Sequence, residues 1–283
     1  MVEIPYRKYH GTGNDFAVVE ADRLGSDRSR FGVEVCEELD ADGVLFLDID
    51  QGPAPPRIGF HLVQPDGSTA GMCGNGARVA ARWALERTGD REFVLDTPAG
   101  PRRARVQEDD RVTVEMGTPT FSPTAIPVEA DEPVIEQSME GFEITAVNTG
   151  VPHAVAFVED IEAVDIDTAA PPIRHAERFP DGTNVTFAQP VSDLDFRQRT
   201  FERGVEGETQ SCGTGAVAIA AVATRLGLHD AGEILEIAPP GGVLRVSVPA
   251  DGPATLEGPT TFEFEDTVEF EPDRGMIRGD DGP

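Results

Sequence analysis

The chain has 283 residues, 39% of them hydrophobic, and carries 23 basic against 52 acidic side chains, a formal charge of −29 with Lys8 as its only lysine. That length exceeds what one core usually serves, so two modest cores are expected, and the negative field repels phosphate backbones and anionic lipid, which excludes nucleic acid and membrane surfaces as partners. The carboxylates are spread along the chain without a long single-sign block, so they read as a solvated, salt-adapted surface and not as an interaction tail.

In chain order, residues 1–10 hold no apolar run of the signal-peptide type, and with three cysteines in all the expected compartment is a reducing cytoplasm. Strands are predicted at 16–20, 43–47 and 58–63, with a helix at 29–39 that carries Phe31, Val35 and Leu39 on one face. A glycine motif, Cys73-Gly74-Asn75-Gly76-Ala77, then opens an alanine-rich helix, followed by strands at 93–96, 103–106 and 112–115. Residues 121–141, rich in proline and acid, read as a linker. Further strands are predicted at 144–148, 154–158, 185–188 and 195–202 before a second motif, Cys212-Gly213-Thr214-Gly215-Ala216, opens a second alanine-rich helix. Its uncharged run, 209–224, has 16 residues and is too short and too weakly apolar to span a bilayer. Strands at 234–237 and 243–248 follow, and residues 271–283 have little to bury and are expected to be disordered.

The two cysteine motifs lie 139 residues apart, and other echoes keep nearly that spacing. The stretch from Glu92 to Gly100 is matched from Glu233 to Gly241 at an offset of 141, as is Gly117-Thr118-Pro119-Thr120-Phe121 by Gly258-Pro259-Thr260-Thr261-Phe262. Thr12-Gly13 and the apolar residues after it are matched by Thr149-Gly150 at an offset of 137. A period near 140 is far too long for a solenoid and suits a duplicated domain. The expected fold class is therefore α+β, with two pseudo-symmetric domains, residues 1–117 and 118–262, each a strand-rich sheet or barrel wrapped around a central helix.

A thiol at a helix N-terminus sits where backbone N–H groups and the helix dipole favour negative charge, so the pKa values of Cys73 and Cys212 are expected to fall. Inverting an α-carbon needs a base on one face and an acid on the other, which a thiolate and a thiol supply through coupled titrations. The N–H groups of Gly74, Asn75 and Gly76, with those of Gly213, Thr214 and Gly215, suit an α-carboxylate and the charge that gathers on it as a carbanion forms, so no pyridoxal phosphate is required. Other readings stay open. Cys36 reads as a buried small hydrophobe, Cys73 and Cys212 as a possible structural disulfide, His153 as a core histidine, and Asn14 and Asn184 as turn residues. No Cys-x-x-Cys pair or histidine cluster points to a metal.

The segments His10-Gly11-Thr12-Gly13-Asn14-Asp15-Phe16, Met72 with the glycine motif through Arg78, Gly150-Val151-Pro152-His153, Arg178-Phe179-Pro180-Asp181-Gly182-Thr183-Asn184, and Glu202-Arg203-Gly204 with the run from Gly207 to Gly215, in this order, resemble diaminopimelate epimerase across about residues 4–270. The resemblance implies a cofactor-independent epimerase that interconverts L,L- and meso-diaminopimelate for lysine synthesis. It also implies domains facing each other across a cleft with one cysteine from each, a last strand (263–270) returning to the first domain, and a homodimer. It sets His153 and Glu202 beside the cysteines as groups that govern their protonation, and makes Asn14, Gln64, Asn184, Glu202 and Arg203 substrate contacts together with Gly74, Asn75, Gly213 and Thr214. An arginine can grip a distal carboxylate through two parallel bonds while an adjacent carboxylate receives an ammonium group. The chain departs from the pattern in having Gln64 for Asn, Val151 for Asn, Gly43 near a substrate-facing Gln, and one extra residue around Val205-Glu206. A proline or hydroxyproline racemase, or a noncatalytic carrier of a small anion, are the alternative functions.

Overall fold

The computed structural model describes residues 1–24 and 27–272. Its first half runs β1 (Val2–Gly11), β2 (Asn14–Glu20), α1 (Arg28–Leu39), β3 (Gly43–Asp50), β4 (Arg57–Val63), β5 (Thr69–Ala70), α2 (Gly74–Thr88), β6 (Glu92–Thr97), β7 (Gly100–Val106) and β8 (Val112–Gly117). After a short β9 (Gln137–Met139) the same order returns as β10 (Phe142–Asn148), β11 (Pro152–Phe157), α3 (Ile166–Arg174), β12 (Asn184–Pro190), β13 (Asp195–Glu202), β14 (Gly207–Glu208), α4 (Gly213–Arg225), β15 (Ile234–Ala238), β16 (Leu244–Ser247) and β17 (Ala254–Gly258). A final strand, β18 (Thr261–Phe270), lies antiparallel to β1 with Phe270 opposite Val2.

The pairings repeat with the element order. In the first half β1–β2 is antiparallel, β2–β3 parallel, β3–β4 antiparallel and β4–β6 parallel. In the second half β10–β11, β11–β12, β12–β13 and β13–β15 pair in the same senses. Antiparallel pairing of β8 with β17 joins the halves into one continuous sheet.

Each half closes around its alanine-rich helix because small side chains let strands approach from every side. Helix α2 is buried from Gly74 through Ala81, and α4 is buried at Gly213 and from Gly215 through Ala223. Strand β3 shows how alternation divides the work, since successive side chains point to opposite faces. Leu45 and Leu47 join the core around α2, while Val44 and Phe46 join the core beneath α1. Gly89 ends α2 in the left-handed region at φ 79°, its N–H bonded to the Leu85 carbonyl. The only lysine serves the fold: Lys8 Nζ donates to the Leu39 carbonyl at the end of α1 at 3.1 Å and pairs with Asp15 at 3.0 Å.

One sequence expectation needs correction, and several elements were not foreseen. Residues 121–141 are not a free linker, because Ile126, Val128 and Val134 are buried in the second half's core and β9 pairs with β10. Their acidic neighbours dominate the composition, yet three well-spaced apolar side chains suffice to dock the segment. Helix α3 escapes sequence reading because Pro171 and Pro172 lie inside it and supply no N–H donors. It persists by burying Ile166, Ala170 and Ile173 on one face. Strands β1, β17 and β18 were also not expected from local pattern; β1 interleaves charged residues with buried Ile4 and Tyr6. Of the segment 271–283, residues 273–283 lie outside the described residues, and the Glu271 carbonyl accepts from Arg30 Nη2 at 2.6 Å. No helix among the described residues is long and apolar enough to cross a membrane.

Candidate active site

The two glycine motifs meet. Cys73 is the N-cap of α2 with extended backbone, and Cys212 holds the same place on α4. A Cβ added to Gly213 would lie 3.8 Å from the Gly74 Cα, and added carbons on Gly74 and Gly213 would lie 2.8 and 2.9 Å from Leu256 Cδ2. Leu256, on the strand that joins the halves, is thus a common floor beneath both helix starts, and only glycine fits above it. First-turn N–H groups of a helix have no intrahelical acceptor, so two sets of donors converge at this junction. All three cysteines are free, and Cys36 lies in the core beneath α1, where burial raises its thiol to about 11.

Side chains stitch the junction across the halves. Thr12 Oγ1 lies 2.9 Å from Ser211 Oγ and accepts from Arg78 Nη2 at 2.8 Å. Asn75 Nδ2 donates to Asn14 Oδ1 and, at 3.3 Å, to the Ser211 carbonyl. Within the second half, Thr149 Oγ1 donates to the Thr214 carbonyl at 2.9 Å, and the Gly241 N–H to the Gln210 carbonyl at 2.7 Å.

Behind Cys212 runs a buried chain of polar side chains. Cys212 Sγ is 3.4 Å from Thr214 Oγ1, which is 3.0 Å from His153 Nε2, while His153 Nδ1 is 3.1 Å from Thr186 Oγ1. Thr186 Oγ1 is 3.2 Å from Thr200 Oγ1, and Gln198 Nε2 donates at 3.0 Å both to Thr200 Oγ1 and to the Cys212 carbonyl. His153 therefore meets Cys212 through the Thr214 hydroxyl. Burial first, and then the Arg203 charge, lower its pKa to about 3, so it stands neutral as a hydrogen-bonding brace.

The thiols also depart from the expected electrostatics. Gly76 N–H donates to Cys73 Sγ at 3.4 Å, and this helix-start contact favours the thiolate. Burial outweighs it and raises both thiols, Cys212 well above the ordinary range, with the Glu202 carboxylate adding to the rise in both. The dipole argument fails here because desolvation at these packed helix starts outweighs it. Glu202, its own pKa raised by burial, accepts from Thr209 Oγ1 and from the Cys212 thiol.

The remaining expected contacts are placed as follows. Asn184 is committed to the backbone, with Nδ2 donating to the Pro152 carbonyl at 2.9 Å and Oδ1 accepting the Arg203 N–H at 2.8 Å, so it braces Arg203 and is not a free amide. Arg203 Nη1 rests on the carbonyls of Asp181 and Gly182. Gln64 Oε1 accepts from Ser68 Oγ at 3.2 Å within its own turn. Gly43 is a packing position, since an added carbon would meet Leu62 Cδ1 at 2.7 Å. The extra residue lies in a loop that Glu206 anchors by accepting from Arg174 at 2.7 Å. Sequence reading missed Thr186, Gln198, Thr200 and Ser211 as parts of the site. The legible signal was polar Gln198 and Thr200 at alternate positions of a strand that also turns Phe196 inward.

The sequence model described as diaminopimelate epimerase matches residues 6–122 and 145–263. A diaminopimelate epimerase of Methanothrix thermoacetophila is 44% identical over 259 residues, covering 87% of this chain and 90% of that one. One from Archaeoglobus fulgidus is 40% identical over 263 residues, covering 88% and 91%. Among solved structures, a phenazine biosynthesis protein of the PhzF family from Bacillus anthracis superposes with a TM-score of 0.70 at 17% identity, covering 95% of this chain and all of that one. A hydroxyproline epimerase from Agrobacterium vitis superposes at 0.64 with 19% identity, covering 94% and 91%. These structures share the fold, whereas the sequence matches run through both cysteine motifs and nearly the full length: the chain belongs to the diaminopimelate epimerase family.

Proposed function

We propose that this protein interconverts L,L- and meso-diaminopimelate by two-base proton transfer, in the service of lysine synthesis. One thiolate, of Cys73 or Cys212, takes the α-proton from one face while the other thiol delivers a proton to the opposite face, and the reverse reaction exchanges their roles. The first-turn N–H groups of Gly74, Asn75, Gly213 and Thr214 hold the α-carboxylate and stabilise the charge that moves onto it as the carbanion forms. The thiols carry both proton transfers, so the reaction needs no cofactor. Arg203 receives the distal carboxylate and Glu202 the distal ammonium, with Asn14 and Gln64 as neutral contacts. His153 and Glu202 set the thiols' protonation, the histidine through Thr214. The observation that carries the reading is the meeting of two cysteine-capped helix starts over Leu256.

Incubation with L,L-diaminopimelate in deuterated water tests it. Early product is expected to carry deuterium at the inverted carbon while unreacted substrate stays protiated. Product without label overturns the two-base reaction, and turnover of proline in place of diaminopimelate would move the assignment to the racemase alternative.

A homodimer in a salt-rich cytoplasm completes the proposal. Edge strand β18 exposes Phe262 and Phe264, an apolar pair suited to a second copy. With a charge of −29, self-repulsion loosens such a contact when salt is low. Sedimentation across a potassium chloride series should give dimer at molar salt and monomer or unfolded chain at low salt; a salt-independent monomer would contradict both points.

A further inference from the structure

Helix α3 ends at Arg174, a buried arginine whose Nη2 donates to Glu206 Oε1 at 2.7 Å in the loop after Arg203. The backbone is shaped around that guanidinium. A carbon added to Gly182, which stands at φ 68°, would collide with Arg174 Nη1 and meet the Arg174 carbonyl at 3.2 Å, so only glycine fits there. The same turn receives Arg203, whose Nη1 donates to the Asp181 carbonyl at 3.1 Å and to that of Gly182 at 3.4 Å. Glu206 is itself tightly held. Its backbone is left-handed at φ 56°, a conformation that a residue other than glycine keeps only where its contacts over-determine it. Those contacts are present: its N–H donates to the Glu202 carbonyl at 2.8 Å, Oε1 accepts the Gly204 N–H at 3.0 Å as well as Arg174, and Oε2 lies 3.3 Å from His175 Nε2.

These bonds enclose Arg203. Its chain neighbours Glu202 and Gly204 are both bonded to Glu206, and its own N–H donates to Asn184 Oδ1 at 2.8 Å. Backbone and guanidinium are thus both fixed, and two of the supports lead to the end of α3: the Gly182 turn that packs on Arg174, and the carboxylate that Arg174 holds. Charge is divided in the same way. The Arg203 guanidinium rests on neutral carbonyls, which leaves its charge for an incoming carboxylate, whereas the charge of Glu206, three residues on, is taken up by Arg174. In a chain of net charge −29 a free carboxylate so close would compete for Arg203. The first half meets the same need with neutral groups. The offset of 139 makes Gln64 the counterpart of Arg203 and Gly67 that of Glu206, and there Ser29 Oγ of α1 donates to the Gly67 carbonyl at 2.8 Å. In both halves a helix tethers the turn, and in the half whose turn carries a cation the tether is an ion pair.

We propose that Arg174 and Glu206 are positioning residues whose ion pair fixes this loop and keeps the Glu206 carboxylate off Arg203, so that Arg203 is presented to the distal carboxylate of the substrate, a role that rests on the reading of Arg203 above. Kinetics of L,L-diaminopimelate turnover test it. Arg174→Met frees a competing carboxylate, and KM should rise about tenfold, the order of one lost charged hydrogen bond, with kcat within about twofold, since binding made equally in ground and transition states shows in KM alone. Glu206→Gln removes the pair and the competitor together, and KM should rise only about threefold, as for a partly exposed ion pair. Adding Glu206→Gln to Arg174→Met should therefore bring KM back down to the Glu206→Gln level, whereas two merely structural lesions would compound. A double variant worse than Arg174→Met alone, or an unchanged KM in a folded Arg174→Met protein, overturns the proposal. If Arg174→Met does not fold, an unchanged KM in Glu206→Gln overturns it. Arg203→Gln separates the two readings. If it raises KM while the Arg174 and Glu206 variants do not, the positioning role falls and the assignment of Arg203 stands; if it leaves KM unchanged, that assignment falls and takes the positioning role with it.

Discussion

Replacing Cys73 or Cys212 with alanine is expected to abolish epimerisation to below detection, in both directions. A single positioned acid or base contributes about 100- to 10,000-fold, and here each turnover needs both, so loss of one thiol removes a required step and not merely a rate factor. The folds of the variants should survive. Cys73 caps α2 through one weak contact to the Gly76 N–H, and Cys212 makes one at 3.4 Å to Thr214, so the stability loss should stay near 1 kcal/mol, typical of a lost cap. The two variants should also differ. With one face served, each can still exchange the α-proton of the stereoisomer presented to its remaining thiol, without inversion. Nuclear magnetic resonance of L,L- and meso-substrate in deuterated water separates exchange from inversion. Inversion by the Cys73→Ala protein at even a hundredth of the wild-type rate would mean that another group serves that face.

Acid should unfold this protein through His153 in particular. Its pKa lies at about 3 in the fold against an ordinary 6.5, so between those values the unfolded chain binds a proton that the folded chain refuses. Stability from this group is present above pH 6.5 and is lost as pH falls toward about 3, at about 1.4 kcal/mol for each pH unit. Over that window the loss is comparable to a large part of the usual stability of a domain. The physical cause is the buried polar chain: a charged imidazole is desolvated there, against the hydroxyls of Thr186 and Thr214 and the repelling Arg203. His153→Gln keeps hydrogen-bonding capacity and removes the titration. Urea unfolding at pH 7, 6, 5 and 4 in saturating salt should therefore give a shallower decline for the variant, since the carboxylates contribute equally to both proteins. Parallel curves for the two would show that His153 takes up no extra proton on unfolding.

What was legible in the sequence was whatever rests on local chemistry or on repetition. The paired Cys-Gly-x-Gly-Ala motifs marked both helix starts, because a cap followed by glycine and alanine specifies its geometry within a few residues. The offsets of 137 to 141 announced two similar halves, and strand β13 was placed at 195–202 by its pattern alone. Tertiary structure decided the rest. The segment at 121–141 and helix α3 fold because of what they pack against, which overrides proline and acid content. The thiol pKa values reverse the local expectation because burial, which no local motif encodes, outweighs the helix dipole. The roles of Arg78, Thr12, Ser211 and Gln198 likewise appear only when two distant stretches of chain meet over Leu256. Sequence by itself determined the reactive atoms and the duplicated frame that carries them; only the folded chain decided their protonation and their separate surroundings, because desolvation and charge act through space and not along the backbone.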